Sequence, residues 1–391
     1  MDHPPARRPR DRKATLAAVA AELFRARGYH GVGINDIAAA GGVTGPALYR
    51  HFADKQAILA YVVLSGIDDM ESATAETLTD GSPEQISTLL TTLAGQAVER
   101  REVAALWRWE GKHLPREDQR EIRRRSAAVL AAWTKALLTH RRELTPDDAE
   151  FLCWAGLSVF GSVSVHHTTI AKKRFSQLLV DLAHRVLHAT IPAQSVKSTV
   201  IEPLSVGTPA RREQLLTAAT ALFGERGFHA VSMEDIGAAA GITGPSVYRH
   251  FPSKAALMVA IGHRAADRLA VGADQAMRCA DESEALRRLA ASYVDTLRNT
   301  PELSVSFSGD PVMLPERDKA DLRRVQKDYV ARWTALLSTV RPELNERESK
   351  IIVHAALTIA NDLTRTRRVN ARPNLEAELV ALMTAVLGLD S

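Results

Sequence analysis

The chain has 391 residues, of which 46% are hydrophobic and 25% charged. That length is too great for one ordinary core and calls for two to four domains. The net charge of +4 is small for the length and does not by itself argue for nucleic acid.

Sparse aromatics beside common Ala, Leu, Arg and Glu favour helices. Cys153 and Cys279 lie far apart without zinc spacing, so no disulfide framework and no metal site are expected, and a reducing cytoplasm fits. The basic N-terminus has no apolar run behind it, so no signal peptide is expected. The longest apolar run, FLCWAGLSVFGSVSV over residues 151–165, is short for a membrane span and reads as a buried helix.

The charge is unevenly spread. Residues 1–56 hold nine Lys or Arg against five Asp or Glu, and Arg7, Arg8, Arg10, Arg12 and Lys13 form a Pro-containing N-terminal arm. Such an arm is either solvated or a ligand for an anionic backbone.

One nine-residue stretch occurs twice. TGPALYRHF at Thr44–Phe52 returns as TGPSVYRHF at Thr243–Phe251, 199 positions later. The register extends upstream to AELFRARGYH and TALFGERGFH. It persists more weakly downstream at an offset of 200, pairing Leu114-Pro115 with Leu314-Pro315 and Trp133 with Trp333. The whole chain therefore reads as two copies of one unit, joined by PAQSVKSTVIEPLSVGTP, an extended linker in composition. Strong similarity is confined to the first fifty-odd residues of each copy.

In chain order, Leu16, Val19, Leu23 and Phe24 form one stripe of a first helix, copied as Leu215, Ala218, Leu222 and Phe223. Gly28 and Gly227 read as left-handed stops. A short second helix runs through INDIAAA and MEDIGAA, with Ser232 and Asp235 as a capping box and Gly33 as the weaker counterpart. Gly42 and Gly241 suit a tight turn of positive φ. Thr44 and Thr243 then read as N-caps, and Pro46 and Pro245 fall in the first turn of a third helix. Helix, glycine turn and helix make a helix-turn-helix, whose second helix can enter a major groove.

The third helix begins almost bare at Gly45, Pro46 and Ala47 and ends in donors at Tyr49, Arg50 and His51. A fourth helix follows, capped by Asp54 or Ser253. Lys55 and Lys254 lie in its first turn, where a cation is mildly unfavourable. Its presence in both copies suggests either an external anion such as phosphate or a merely solvated lysine.

The block INDIAAAGGVTGPALYRHFADKQAIL resembles the DNA-binding domain of TetR-type repressors, and the second block resembles it equally. The resemblance implies base-edge or phosphate contacts for Thr44, Gly45, Pro46 and Ala47, and phosphate contacts for Tyr49, His51 and Lys55, with Arg50 assisting. In the second copy the set is Thr243, Gly244, Pro245, Ser246, Tyr248, Arg249, His250 and Lys254. No long polar side chain stands at the start of either third helix, so methyl contacts, water bridges and DNA shape are expected to matter. Tandem chains of this kind resemble the regulators of mammalian-cell-entry operons.

Residues 63–191 and 263–391 read as amphipathic helices, with starts near Pro115, Thr145-Pro146 and Asn345. The resemblance implies a helical domain that dimerises and holds a small ligand. Trp107, Trp109, Trp133 and Trp154 are candidates for lining that pocket and equally for plain core. His166-His167 diverge by about 100° on a helix and make a poor metal pair. No P-loop, GxGxxG, HExxH or GxSxG occurs, and no cofactor is expected.

The expected architecture is all-α: DNA-binding domain 1–62, helical ligand and dimerisation domain 63–191, linker 192–208, second DNA-binding domain 209–262 and second helical domain 263–391. The expected function is a cytoplasmic, non-enzymatic, ligand-responsive repressor. It would bind an imperfect palindrome of double-stranded DNA as a single-chain pseudo-dimer, with homodimers as an alternative, no membrane contact, and a lipid or acyl thioester as effector. The rivals are an activator or architectural DNA binder, and an enzyme with DNA-binding heads.

Overall fold

A computed structural model describes residues 9–192, 210–308 and 314–389, and every regular element among them is a helix. The chain divides into two compact units, Met1–Ala189 and Thr190–Ser391. The expected linker lies outside the described residues apart from Pro192, as do Arg7 and Arg8 of the expected arm.

The first unit begins with α1 (Pro9–Arg27), α2 (Ile34–Ala40) and α3 (Gly45–Tyr49). The basic arm is shorter than its composition implied, because Arg10, Arg12 and Lys13 already belong to α1. Leu16 and Phe24 of α1 are buried with Ile37, Leu48 and Phe52, as the stripe required. Next comes α4 (Lys55–Thr77), which passes position 62 without a break. The same core takes in Leu106, Leu114 and Ile122 from further along the chain. The border placed at 62 is therefore a division of labour and not a gap in packing.

The helical part continues with α5 (Glu84–Glu99), α6 (Arg101–Glu110), a 3-10 turn (Gly111–His113), α7 (Arg116–His140), α8 (Pro146–Gly161) and α9 (Lys172–His188). Pro115 precedes α7, and Glu117 and Asp118 occupy its first turn. Thr145 caps α8 by accepting from the Asp148 amide. The apolar run expected to be buried is α8, where Phe151, Leu152, Val159 and Phe160 are all at most 5% exposed. Cys153 lies there too, and burial pushes its thiol up to about 12. Both cysteines are free.

The second unit repeats the plan with α10 (Arg211–Arg226), α11 (Met233–Ala239), α12 (Gly244–Val247), α13 (Lys254–Ala276), α14 (Glu282–Asn299), α15 (Pro301–Ser308), α16 (Glu316–Val340), α17 (Glu346–Arg365), α18 (Arg367–Asn370) and α19 (Leu375–Leu387). Asn345 and Glu348 form a complete capping box at α17. No described helix is long and apolar enough to cross a membrane.

The two glycine turns stand as expected, with φ of 63° at Gly42 and 69° at Gly241. Gly241→Ala places a Cβ in the left-handed region at a cost of roughly 1–2 kcal/mol. A lowered unfolding midpoint with little change in the denaturant slope is the expected result.

His354 of α17 is mostly buried, and this desolvation, aided by the charge of Lys350, lowers its pKa from 6.5 to about 4. Below pH 6.5 the unfolded chain takes up a proton that the folded chain refuses. Stability is therefore lost as pH falls from 6.5 and levels off near 4, a loss of roughly 3 kcal/mol at most. Denaturant titrations of His354→Leu across that window are expected to show a shallower acid loss.

Candidate nucleic-acid interface

Each reading surface is built by one long and two short helices whose joints are set by local chemistry. In the second unit Ser232 caps α11 by accepting from the Asp235 amide at 3.0 Å, and the Asp235 carboxylate accepts from Ser232 N–H at 2.8 Å. In the first unit, Gly33 offers only its N–H, which donates to Asp36 at 2.7 Å. Half the box is therefore kept.

The third helices depart from their expected caps. Thr44 and Thr243 stand at the N-cap in extended conformation, but neither hydroxyl accepts from its helix. The Thr243 hydroxyl instead pairs with that of Ser246 at 2.9 Å. These hydroxyls sit on the exposed rim, since both threonines face solvent.

The bare start also has an internal cause. A Cβ built on Gly244 would lie 3.0 Å from Cγ of Glu234, so the glycine lets α12 approach α11. Gly244 is buried and Gly45 half-buried, while Pro46 and Pro245 are exposed.

At the other end, Tyr49 is 55% and Tyr248 51% exposed, two of the few large apolar side chains left in solvent among the described residues. Arg50, Arg249 and His250 are exposed and His51 half-buried. Two aromatic rings held out beside cationic donors at matching places make a surface suited to a polyanion.

Lys55 and Lys254 have a different setting from the one their position suggested. The Lys55 ammonium donates to the carbonyls of Tyr29 at 2.8 Å and Val32 at 2.9 Å, and lies 4.2 Å from the Tyr29 ring centroid. Lys254 donates to Val231 at 2.6 Å and His229 at 3.4 Å, with the Phe228 ring at 4.6 Å. Burial holds the Lys254 pKa below the usual lysine range. The unfavourable cation at a helix start is therefore compensated from within, by loop carbonyls and a ring, before any phosphate arrives. The aromatic pair Tyr29 and Phe228, repeated at the same offset as the lysines, was the available signal.

Sequence reading also missed a second cation–ring pair. Lys13 lies 5.1 Å from the Phe52 ring centroid, and Arg212 lies 4.3 Å from that of Phe251.

A further link joins the first reading surface to the helical part. The His113 ring stacks on Tyr29 at 5.0 Å and meets His30 edge-on at 4.5 Å. Gln56 donates to the His113 carbonyl at 2.8 Å. The turn between α6 and α7 thus rests on the α1–α2 loop.

Of the four candidate pocket tryptophans, the side chains of Trp107 and Trp109 lie outside the described residues. Trp133 is buried and donates to the Thr74 hydroxyl at 2.8 Å. Trp154 is half-buried on α8. Of the two described, Trp133 lines a cavity of this unit, with Leu78, Leu89, Leu90, Leu137 and Cys153, and that cavity has room of only about 20 Å³. His166 is buried, and its carbonyl accepts from Arg101 at 2.5 Å. Among the described residues no cluster of His, Cys, Asp or Glu could hold a metal.

The fold defines a class of module, the helix-turn-helix, present once in each unit. The family of bacterial regulatory proteins of the tetR type matches residues 16–62 and again 215–261, so each unit carries one N-terminal module of that family. It is 36% identical over 108 residues to the transcriptional activator FasR of Mycolicibacterium smegmatis, covering 27% of this chain and 49% of FasR. It is 46% identical over 52 residues to the transcriptional repressor KstR2 of Rhodococcus jostii, covering 13% of this chain and 26% of KstR2. The chain spans about half the length of FasR, and less of KstR2. Among solved structures, the regulator PfmR of Thermus thermophilus is 24% identical, with a TM-score of 0.41 and coverage of 44% of this chain and 97% of PfmR.

Lys55→Ala and Lys254→Ala remove charge-assisted bonds to loop carbonyls, and each is expected to cost roughly 1–3 kcal/mol of folding stability. Tyr49→Ala and Tyr248→Ala, at exposed rings, are expected to leave melting unchanged. Thermal unfolding of the four variants separates the two classes.

Proposed function

We propose that the chain is a ligand-responsive transcriptional repressor that occupies an imperfect palindromic operator as a single-chain pseudo-dimer. The observation that carries this reading is the pair of matching surfaces in one polypeptide: Tyr49, Arg50 and His51 in one unit, Tyr248, Arg249 and His250 in the other. Modules of this kind bind in pairs, on half-sites about one helical turn apart. A covalent tether raises the effective concentration of the second head. The heads differ at Ala47 and Ser246, which suits an operator whose halves are unequal.

In this reading Thr44, Pro46 and Ala47, with Thr243, Pro245 and Ser246, meet base edges or adjacent phosphates. The tyrosines, arginines and histidines hold the backbone. The two lysines brace the loop next to the backbone. The effector is an apolar small molecule, a lipid or acyl thioester, entering a helical domain. The apolar lining around Trp133 supports that chemistry, and its small present volume means that the helices must part to admit a ligand. Parting them moves the turn that carries His113, which rests on Tyr29. The site of action is the cytoplasm.

An activator is the second reading, favoured by the name of FasR. Reporter output from the cognate promoter with and without the protein separates it from repression.

Sedimentation of the chain with a duplex of one operator is expected to give one chain per duplex, and a complex of two chains would remove the pseudo-dimer. Each phosphate that is no longer neutralised lowers the slope of log affinity against log salt by about 0.9. The double variant Arg50→Ala, Arg249→Ala is thus expected to lose about two units of slope, and an unaltered slope would remove these arginines from the interface.

A further inference from the structure

The repeat provides an internal control on how each unit is filled. In the first unit Tyr61 of α4 meets Phe52 edge-on, with ring centroids 5.6 Å apart. The Lys13 ammonium lies 4.9 Å from the Tyr61 centroid and 5.1 Å from that of Phe52. Cation, ring and ring form one closed corner beside the end of α3.

The second unit keeps the frame and omits one ring. Arg212 replaces Lys13, Phe251 replaces Phe52, and the guanidinium lies 4.3 Å from the Phe251 centroid. The position of Tyr61 is held by Ala260, because α4 and α13 are both 23 residues long and align without a gap. Leu216 in place of Ala17 and Val259 in place of Ala60 return some apolar volume. They cover Phe251, which is 2% exposed, yet the surface beside Ala260 stays concave. A groove of about 440 Å³ remains, lined by Arg212, Leu216, Val259, Ala260, His263 and Arg264 among others. That volume lies within the range of small-molecule sites, roughly 300–1,000 Å³.

The charges around it are mostly spoken for. Arg264 pairs with Glu213 and stands 3.6 Å from Glu302, while His263 Nε2 stands 3.4 Å from Asp321. Asp267 also lines the groove. Arg212 has no ion pair among the described residues, and its guanidinium rests on the Phe251 ring.

We propose that this groove binds a small aromatic molecule with an electron-rich ring, a phenol in the simplest case, which takes the place of the absent tyrosine side chain. The space left by a missing side chain accepts a small ring of matching shape. Phe251 is 2% exposed and lies beneath the Arg212 guanidinium, through which a ring in the groove acts on it. Arg212 selects an electron-rich ring over a saturated one. Phe251 lies directly after the reading helix and shares a core with Val247 of that helix. A ligand held there gives the second head an input that the first head, with its own Tyr61, does not have.

The probe is p-cresol, which is the tyrosine side chain cut at Cβ. It is titrated into the full chain by calorimetry without DNA, so the result stands apart from that of operator binding. One saturable site per chain is expected, with cyclohexanol at least several-fold weaker. The double variant Leu216→Ala, Ala260→Tyr copies the first unit and is expected to lose p-cresol at least tenfold. Tyr61→Ala is expected to add a second site. Absence of saturable binding to the natural chain overturns the proposal, and so does undiminished binding by a folded double variant. Should the double variant lose its helical circular dichroism, Arg212→Ala decides. It is expected to melt normally and bind p-cresol at least several-fold more weakly, and unchanged affinity overturns the proposal.

Discussion

An ammonium group at the first turn of a long helix works against the helix dipole, and both units place one there. The cost is offset because the lysine reaches back more than twenty residues to the loop between the first two helices. Lys55 ties Tyr29 and Val32 to the start of α4, and Lys254 ties His229 and Val231 to the start of α13. The short reading helix lies in sequence between the parts so tied. A helix of five or four residues has little stability of its own. Its position is set by this tie, by the glycine turn before it and by the buried Leu48 or Val247 beneath it. The exposed tyrosine and arginine are therefore presented from a braced element, which spares a polyanion ligand the entropy of ordering them.

The divergence between the copies lies behind this brace. Trp133 and Trp333 occupy equivalent places, yet Trp133 donates to Thr74, whereas the position of Thr74 is held by Ala273 in the second unit. Trp333 Nε1 is buried without an acceptor in hydrogen-bonding geometry. Tyr293 and Tyr329 surround it, each ring about 6 Å away, where the first unit has Leu93 and Val129. Burial raises the pKa of Tyr293 to about 12 and raises that of Tyr329 as well. The first helical interior is apolar and closed, and the second is aromatic and partly polar. One fold is thus kept with two different fillings, as tolerance of core substitution at conserved volume and patterning allows.

What could be read from the letters alone follows a physical division. Most rules confined to a few neighbouring residues held: positive φ at Gly42 and Gly241, the Ser232 box, the helix start at Thr145, the apolar burial of α8. Each depends on bonds closing within one turn of helix, so the spacing carries the information. Partners brought together by the tertiary fold were not legible. The lysine bonds end on backbone carbonyls, which leave no side-chain signature. Thr44 has the right letter and the right dihedral angles for a cap, yet its hydroxyl makes no cap bond. Pro9 opens α1 earlier than the run of arginines suggested, because a proline in the first turn is as compatible with a helix start as with an arm. Of the two described tryptophans of that half, Trp133 lines a cavity and Trp154 does not, since proximity across helices is a property of packing.

Covalent doubling changes what substitution can do. In a homodimer every change in the reading helix appears in both heads, so the pair recognises equal half-sites. Here Ala47 and Ser246, Leu48 and Val247, and Tyr61 and Ala260 vary one head at a time. The donors Tyr-Arg-His stay identical in the two units; under the proposed function they meet a phosphate backbone that is the same at every half-site. The residues beneath and ahead of them are free to differ, and those are the ones that set tilt, base contact and access to the core. That pattern is the one the proposed pseudo-dimer requires, a common grip on the duplex with a different input to each head.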